Sequence, residues 1–221
     1  MDNFTAHCFY QLFPAILSQT ENEKEIFRMS TKEPIATGLV EALAVNGVET
    51  KQLAFAADGP VGDVHQGFTR VLSGHDGGYI RTSGLVKGSQ VFNWRSWTGL
   101  SAEEMVAVGY ALGRKIPVGC LLENITFSGI LHFSKLVPGT RLVFPCHGSE
   151  EHPSQVILAV WEENGPCKTV GARLEQLYPT HAGLKTEFVR AAQGRRGVMG
   201  FVLSAGHVYV GDTVTVFPPI R

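Results

Sequence analysis

A short loop around Cys167 carries the most distinctive chemistry of the sequence. It reads Asn-Gly-Pro-Cys-Lys over residues 164–168 and follows a strongly apolar segment. Pro166 restricts the backbone ahead of the cysteine, and Lys168 supplies a positive charge of the kind that favours a thiolate. A cysteine on a loop at the end of a strand can meet a ligand, whereas most free cysteines are buried and inert. The pattern therefore predicts a reactive thiol, with a structural thiol as the alternative.

Two further segments have residues that suit an anion. Residues 58–67 contain three glycines, which let backbone N–H groups approach a ligand closely, and Asp63 and His65 could orient it. An ordinary glycine-rich turn is the alternative for this segment. Arg95 is flanked by tryptophans, where a guanidinium can donate two parallel hydrogen bonds to an oxyanion or can stack on an indole at the surface.

Asn124 and the pair Arg195-Arg196 complete the candidates. Asn124 stands at the start of a predicted strand, where its alternative role is a hydrogen bond to its own backbone. The two arginines lie between glycines, after a predicted helix and before a predicted strand. Two guanidinium groups there suit a phosphate. The alternative is a solvated helix end whose cations favour the helix dipole.

The four cysteines predict neither a zinc site nor a disulfide framework. No CxxC pair occurs, and Cys146-His147 and His152 lack the second close ligand pair that a tetrahedral site needs. Cys120 lies among apolar residues and is expected to pack. A chain of this length does not need disulfides to fold, so we expect the reduced thiols of a cytoplasmic protein.

The elements that position these residues are predicted to be mostly strands. Short apolar segments separated by Gly, Pro, Asn or Asp recur from residue 35 onward. They are Ala36–Leu43, Lys51–Ala56, Arg141–Phe144, Gln155–Trp161, Gly197–Leu203, His207–Val210 and Thr213–Phe217. The nearly continuous apolar run 155–161 predicts a strand buried on both faces. Residues 198–210 predict a hairpin with Gly206 in its turn.

Only two helices are predicted, and this decides the fold class. Ser101 and Glu104 form a capping box, in which Ser101 accepts a backbone hydrogen bond and Glu104 reaches back, and Gly113 ends that helix. The second helix runs from Leu184 to Ala192. Because no repeating βαβ pattern occurs, we predict a mainly β fold: a β-barrel or closed sheet with a few peripheral helices.

Composition excludes several classes of protein. The chain has 221 residues, is 44% hydrophobic and 18% charged, and carries a net charge of -1. A duplex-binding domain is usually strongly basic, global disorder needs fewer apolar residues, and no apolar run is long enough for a membrane-spanning helix. Residues 1–34 are expected to be a loosely ordered N-terminal extension without a secretory signal, with a docked helix over residues 12–17 as the alternative.

Taken in order, the motifs resemble the MOSC domain, which occurs at the C-terminus of molybdenum cofactor sulfurases and in stand-alone proteins. The series is Gly-x-x-Gly-Asp-x-His, then Glu-Asn-x-x-x-x-Gly, then Pro-Cys, then Val-Gly-Asp, and it covers residues 35–218. The matching residues are Gly62, Asp63, His65, Asn124, Gly129, Cys167, Gly211 and Asp212. We therefore predict a MOSC-like β-barrel domain over residues 35–221.

Three positions depart from the family pattern. Val64 stands where members commonly have Arg, and Leu122 stands where many have Gly. Asn164-Gly165 replaces the arginine often found just before the Pro-Cys pair. An expected contact to an anion is thus missing, and Arg95, Arg195 or Arg196 are the candidates to supply it.

The resemblance implies a molybdenum cofactor (molybdopterin), or its sulfur, as the ligand. Cys167 would be the catalytic residue and the molybdenum ligand, in a reductase of N-hydroxylated compounds with its redox partner. Alternatively, Cys167 would carry a persulfide received from a sulfur donor protein, or the barrel would be a non-catalytic interaction domain. We expect no pyridoxal phosphate, because the chain is too short to add the domain that binds it, and no nucleic acid or membrane partner.

The combined candidates define a predicted site. The cofactor-binding set is Gly62, Asp63, His65, Arg95, Asn124, Arg195 and Arg196. We expect five side chains to converge on one concave surface at the mouth of the barrel, because one anionic cofactor would explain their separate loops together. These are Asp63, His65, Arg95, Asn124 and Cys167. Asp212 is expected to shape the last turn instead of contacting the ligand.

Overall fold

Seven strands close into a barrel. The structure, a computed structural model, describes residues 33–148 and 153–219, so Cys8 and nearly all of the predicted N-terminal extension lie outside the described residues. The barrel strands are β1 (Ala36–Val45), β7 (Trp97–Ser101), β8 (Ile125–Ser128), β9 (Arg141–Gly148), β10 (Pro153–Glu163), β11 (Val198–Ser204) and β13 (Thr213–Phe217). Their order is β13-β9-β10-β11-β7-β8-β1, and β1 pairs with β13 to close the ring. The predicted fold class is confirmed.

All neighbouring barrel strands are antiparallel except β7 and β8, which are parallel. The remaining strands lie outside the ring. They are β2 (Val48–Thr50), β3 (Gln52–Ala56), β4 (Gly59–Pro60), β5 (Thr69–Val71), β6 (Gln90–Phe92) and β12 (Gly206–Tyr209). Strands β12, β3 and β4 form a small sheet, and β5 pairs with β6 in a two-stranded sheet.

The barrel interior is filled by large apolar side chains. Trp97, Phe127, Phe133 and Phe144 are fully buried there, together with aliphatic residues from every strand of the ring except β7, which contributes Trp97. Alternate residues of a strand face opposite sides of a sheet, so a closed barrel buries one set and leaves the other outside. Trp161 accordingly lies 42% exposed on β10, so the prediction that residues 155–161 are buried on both faces is wrong at that end.

The predicted hairpin over residues 198–210 is also wrong. β11 ends at Ser204 within the barrel, whereas β12 pairs with β3 in the separate sheet. The chain therefore leaves one sheet and enters another near Gly206. This long-range pairing buries Val208 in the barrel core, beside Leu53 of β3. Local turn chemistry predicted a bend but could not name the partner strand.

Within the described residues, four α-helices accompany the barrel: α1 (Gly77–Ser83), α2 (Ala102–Leu112), α3 (Lys168–Leu177) and α4 (Leu184–Ala191). The oxygen of Ser101 accepts a hydrogen bond from the Glu104 backbone at 3.2 Å, and Gly113 ends α2 with φ of 60°, as predicted. The Glu104 side chain does not reach back, because it binds the backbone and hydroxyl of Ser134 instead. No helix in the described ranges is long and apolar enough to span a membrane.

A second core joins three of the helices. Buried side chains of α2, α3 and α4 pack together, among them Val108, Leu174 and Phe188. Cys120 is buried in this cluster, as expected, while half-buried Cys167 packs at its edge. Neither α1 nor α3 was predicted. The unpredicted α3 matters most, because it begins directly after Cys167.

Candidate functional site

Cys167 lies where β10 gives way to α3. It occupies the position before the first helical residue, with extended backbone (φ −133°, ψ 157°), and its side chain makes no capping hydrogen bond. The first backbone N–H groups of a helix have no partner within the helix, and its N-terminus carries partial positive charge. The thiol is half-buried. The N-terminus of α3 therefore favours a negatively charged ligand beside the thiol.

Arg196 approaches the same loop from the start of β11. Its guanidinium Nη1 donates to Asn164 Oδ1 at 2.6 Å and to the Gly165 carbonyl at 2.8 Å, and Nη2 donates to the Leu121 carbonyl at 3.3 Å. The residue is only 3% exposed. Burial lowers the pKa of Arg196 to about 10, while the charge of Cys167 acts in the opposite direction. At neutral pH the guanidinium stays charged, and its contact with an anion, in place of the arginine that this chain lacks before Pro166, stays a prediction.

Arg95 is the second cation beside the thiol. Burial lowers the pKa of Arg95, and the nearby charge of Arg70 lowers it further. The negative charges of Asp76, Cys167 and Glu162 act in the opposite direction. The charge of Arg95 also lowers the pKa of Arg196. The structure thus brings Cys167, Arg95 and Arg196 into one electrostatic cluster, which we call the thiol–arginine cluster.

Within the described residues, two buried atoms of this cluster lack a hydrogen-bond partner: Nε of Arg95 and Nε of Arg196. No carboxylate of those ranges lies within ion-pair distance of either guanidinium. Buried polar groups are usually satisfied, and each exception calls for an explanation. An anionic ligand would supply the missing acceptors and balance the two charges.

A second cluster contains the residues of the Gly-Asp-x-His motif. Asp63 Oδ1 accepts a hydrogen bond from the backbone of His65 at 2.8 Å and lies 3.0 Å from His65 Nδ1. Asn124 Nδ2 donates to Asp63 Oδ2 at 2.8 Å, and Asn124 Oδ1 accepts from the Thr98 backbone at 2.9 Å. Burial alone would raise the pKa of Asp63, but hydrogen bonds from His65 and Asn124 outweigh it and lower the pKa.

These contacts give the second cluster a positioning role. Both carboxylate oxygens of Asp63 are engaged inside the protein, and the Gly62 N–H already donates to Gln66 at 2.9 Å. Gly62 has φ of 83°, a conformation that favours glycine. Direct contact of Gly62, Asp63, His65 or Asn124 with a ligand stays a prediction.

Asn93 connects the two clusters. Its side-chain nitrogen donates to the carbonyls of His65 at 2.7 Å and Gly67 at 2.9 Å. Its side-chain oxygen accepts a hydrogen bond from the Arg95 backbone at 3.2 Å. The glycine-rich loop is therefore fastened to the segment that carries Arg95, and Asn93 is a residue that sequence analysis missed. Convergence of all five predicted side chains on one concave surface stays a prediction.

Arg195 differs from its neighbour, because its side chain is exposed and Arg196 is buried. The described contacts of Arg195 include a backbone hydrogen bond to Ala192 but no bond to Asn164 or Gly165.

Asp212 accepts a hydrogen bond from the Tyr209 backbone at 2.9 Å, which forms the expected turn. Its carboxylate also lies 2.9 Å from His147 Nε2.

Glu123 is a further buried residue beside the cluster that the sequence did not single out. It is 3% exposed and accepts hydrogen bonds from the backbones of Gly119 and Leu121. Burial raises the pKa of Glu123, and the charge of Arg196 opposes that change. The adjacent Leu122 has φ of 61°, which explains why a glycine suits this position in the family. The Glu-Asn motif of the sequence analysis predicted a site role for Asn124 but not for Glu123.

A surface cavity of about 670 Å³ lies elsewhere, along α2. Its lining includes Glu123, Met105 and Tyr110 but none of the thiol–arginine cluster. The charged residues of this lining are Arg114, Lys115 and Glu123, and most of the others are apolar. We locate the candidate site at the cluster, because the cluster groups a thiol with two guanidiniums whose Nε atoms lack acceptors among the described residues. No group of three or more His, Cys, Asp or Glu residues in the described parts could hold a metal ion, so protein ligation of a metal would rest on few side chains.

Comparison with known proteins identifies relatives that share most of this chain. A family model described as MOSC domain matches residues 94–215. The chain is 32% identical over 171 residues to YuaD of Bacillus subtilis (strain 168), a protein whose name refers to metal-sulfur cluster biosynthesis, and the match covers 76% of this chain and 82% of YuaD. The crystal structure of the Bacillus subtilis YuaD protein superposes with a TM-score of 0.72 at 29% identity, covering 81% of this chain and 95% of that one.

Proposed function

We propose that this protein, which belongs to the MOSC domain family, binds a molybdenum cofactor (molybdopterin) at the thiol–arginine cluster, with Cys167 as a ligand of molybdenum. The observation that carries the proposal is the grouping of one half-buried thiol with the buried guanidinium of Arg196 and the half-buried Arg95, near the start of α3. These groups come from three distant parts of the chain, and internal ion pairing does not explain them.

The donor set fits such a cofactor. A soft thiolate suits a metal bound by sulfur, and guanidinium groups suit phosphate. The unpartnered Nε atoms of Arg95 and Arg196 are donors that lack an acceptor within the described residues. The N-terminus of α3 adds backbone N–H groups and a favourable dipole for negative charge.

Each residue would have a separate task. When bound, the cofactor would supply redox chemistry, such as reduction of an N-hydroxylated compound with electrons from a redox partner. Cys167 would bind the metal, and Arg95 and Arg196 would offset the negative charge of the ligand. Arg196 would also hold the Asn164-Gly165 segment that precedes the cysteine, through the bonds at 2.6 and 2.8 Å. The second cluster would fix the loop and the strand ends that support Arg95.

Metal and pterin analysis of protein produced in a host that makes the cofactor tests this proposal. We expect molybdenum and pterin to copurify with the unaltered protein and with Cys146→Ser, because Cys146 is an exposed thiol on β9. Cys167→Ser should lose the metal, because a neutral hydroxyl is a poor ligand for a soft centre. Equal molybdenum content in Cys167→Ser and the unaltered protein would contradict the assignment of the ligand.

Sulfur transfer through Cys167 is the second candidate. It is favoured by the partial exposure of the thiol and by the relative YuaD, whose name refers to metal-sulfur cluster biosynthesis. The Cys167 thiolate would attack the outer sulfur of a donor protein's persulfide. A new sulfur–sulfur bond forms at Cys167, the donor's sulfur–sulfur bond breaks, and the donor leaves as a thiolate. No external oxidant is required.

Mass spectrometry separates the two candidates. One added sulfur on Cys167 in metal-free protein, removable by a thiol reductant, would support the carrier. Molybdenum and pterin without that adduct would support the cofactor-binding protein. Protein that acquires neither, in a competent host with a persulfide donor, would be a non-catalytic interaction domain.

A further inference from the structure

A row of aromatic rings runs beside the thiol–arginine cluster. Ring centroids are 4.5 Å apart for Tyr79 and Trp94, 6.2 Å for Trp94 and Trp161, 6.2 Å for Trp161 and Phe201, and 5.5 Å for Phe201 and Phe92. These five residues form what we call the aromatic shelf. They come from α1, β6, β10, β11 and the segment before β7.

Much of the shelf faces solvent. Tyr79, Phe92 and Trp161 are 39%, 44% and 42% exposed, whereas Trp94 is buried. Single exposed apolar residues are ordinary on a protein surface, whereas grouped apolar residues mark binding surfaces more often. Here buried Trp94 and half-buried Phe201 link the three exposed rings. Aromatic faces are suited to stacking against planar rings.

Trp94 joins the shelf to the cluster. Its indole N–H donates to Glu162 Oε1 at 3.2 Å, and the guanidinium of Arg70 lies 4.6 Å from the centre of its ring. Both Glu162 and Arg70 act electrostatically on Arg95. The second ring of the row, Trp94, is therefore next to Arg95 in the chain, and the exposed member Trp161 precedes Glu162.

The charges beside the shelf favour an anion. Arg70 is paired with Asp76 at 2.7 Å, but Arg95 and Arg196 have no carboxylate of the described residues at ion-pair distance. A ligand that fits both features has a planar ring for the shelf and a negative group for the arginines. A purely apolar partner would leave the two guanidiniums unbalanced.

We infer that the aromatic shelf binds the planar heteroaromatic ring of a phosphate-bearing ligand whose anionic end lies at Arg95 and Arg196. The inference rests on the proposed function for the anionic end of the site. A pterin phosphate and a purine nucleotide share this chemistry, and the experiment below distinguishes these two sources. Trp161 supplies the stacking face, because Trp94 is already covered by Arg70 and bound to Glu162.

Calorimetric titration of the purified full chain tests the shelf with three probes: a pterin phosphate, adenosine monophosphate and orthophosphate. We expect one ring-bearing probe to bind more tightly than orthophosphate. Trp161→Ala should weaken that binding by about tenfold, as stacking losses on alanine substitution usually do. Trp161→Phe keeps a ring and should retain most of the affinity. Tyr110→Ala is the matched control, because Tyr110 is 90% exposed on α2.

The outcomes separate this inference from the proposed function. Unchanged binding of the ring-bearing probe to folded Trp161→Ala would overturn the shelf, as would orthophosphate binding at least as tightly as both ring-bearing probes. Should Trp161→Ala unfold, Phe92→Ala replaces it, because Phe92 lies at the exposed end of the row. Binding of the pterin phosphate that depends on Trp161 supports the shelf even if the protein holds no molybdenum. Binding of the nucleotide alone supports the shelf and contradicts the cofactor proposal.

Discussion

The two neighbouring arginines 195 and 196 offer a sharp test of the site's architecture. Arg196 is 3% exposed and donates three hydrogen bonds, whereas Arg195 is exposed. Replacing each with Met removes the same guanidinium and leaves a similar apolar stem. Only Arg196→Met leaves acceptors without their donor, on Asn164, Gly165 and Leu121.

The size of the effect follows from those three bonds. A hydrogen bond to a charged group contributes about 1.5–3 kcal/mol, and relief from burying the charge offsets part of the sum. We expect Arg196→Met to lower the free energy of unfolding by about 3–5 kcal/mol. At this chain length each kcal/mol lowers the melting temperature by about 2–4 °C, so the loss would be roughly 6–20 °C. Arg195→Met should stay within about 0.5 kcal/mol of the unaltered protein.

Thermal and denaturant unfolding of both variants at neutral pH provide the measurement. A far-ultraviolet spectrum at low temperature would confirm that each variant has folded before melting. Similar free energies of unfolding for the two variants would contradict the predicted difference, since they would mean that the buried guanidinium does not hold the loop before Cys167. A larger loss for Arg195→Met would have the same consequence.

Three further predictions concern pH, thiol reactivity and backbone geometry. Burial alone would raise the pKa of Asp76, but hydrogen bonds from Arg70 and Ser73 outweigh it and lower the pKa from 3.8 to about 2. The ionised carboxyl therefore contributes up to about 2 kcal/mol to the free energy of unfolding at pH values above 3.8, and this contribution is lost as the pH falls toward 2. Asp76→Asn should therefore destabilise at pH 7 and flatten the acid unfolding profile, and an unchanged profile would contradict this. Burial raises the pKa of Cys120 to about 11, so limiting iodoacetamide should modify Cys167 and spare Cys120, as mapped by mass spectrometry. Labelling of both at one rate would contradict the prediction. A Cβ at Gly197 would lie 1.8 Å from the Gly99 carbonyl oxygen, so Gly197→Ala should cost more than about 3 kcal/mol, against about 1 kcal/mol for Gly113→Ala, where nothing lies within 4 Å. Equal melting temperatures for those two variants would refute the clash.

Local signals in the sequence predicted the elements that local chemistry controls. Ser101 begins α2 and Gly113 ends it, because a hydroxyl acceptor and a left-handed glycine satisfy helix ends wherever they occur. The strand over 213–217 ends before Pro218, as its composition indicated. Frequent apolar segments without a βαβ pattern were enough to predict the barrel class.

Long-range packing determines the features that local sequence patterns did not predict. Gly171 lies inside α3 and lowers its intrinsic helix propensity, yet a Cβ there would lie 2.5 Å from the Lys185 carbonyl oxygen. The helix therefore depends on close packing against α4, which no local pattern reveals. The bond between Arg196 and Asn164 likewise joins residues 32 positions apart, so the sequence offered three arginines for the anion contact without choosing among them.

X-ray absorption at the molybdenum edge, on protein purified from a host that makes the cofactor, reports directly whether Cys167 binds molybdenum. We expect bound molybdenum with one thiolate sulfur in its coordination shell in addition to the sulfurs of the cofactor. That sulfur should be missing from any metal that Cys167→Ser retains, and present in Cys146→Ser. Molybdenum with identical sulfur coordination in the unaltered protein and Cys167→Ser, or protein that never acquires the metal, would contradict Cys167 as its ligand.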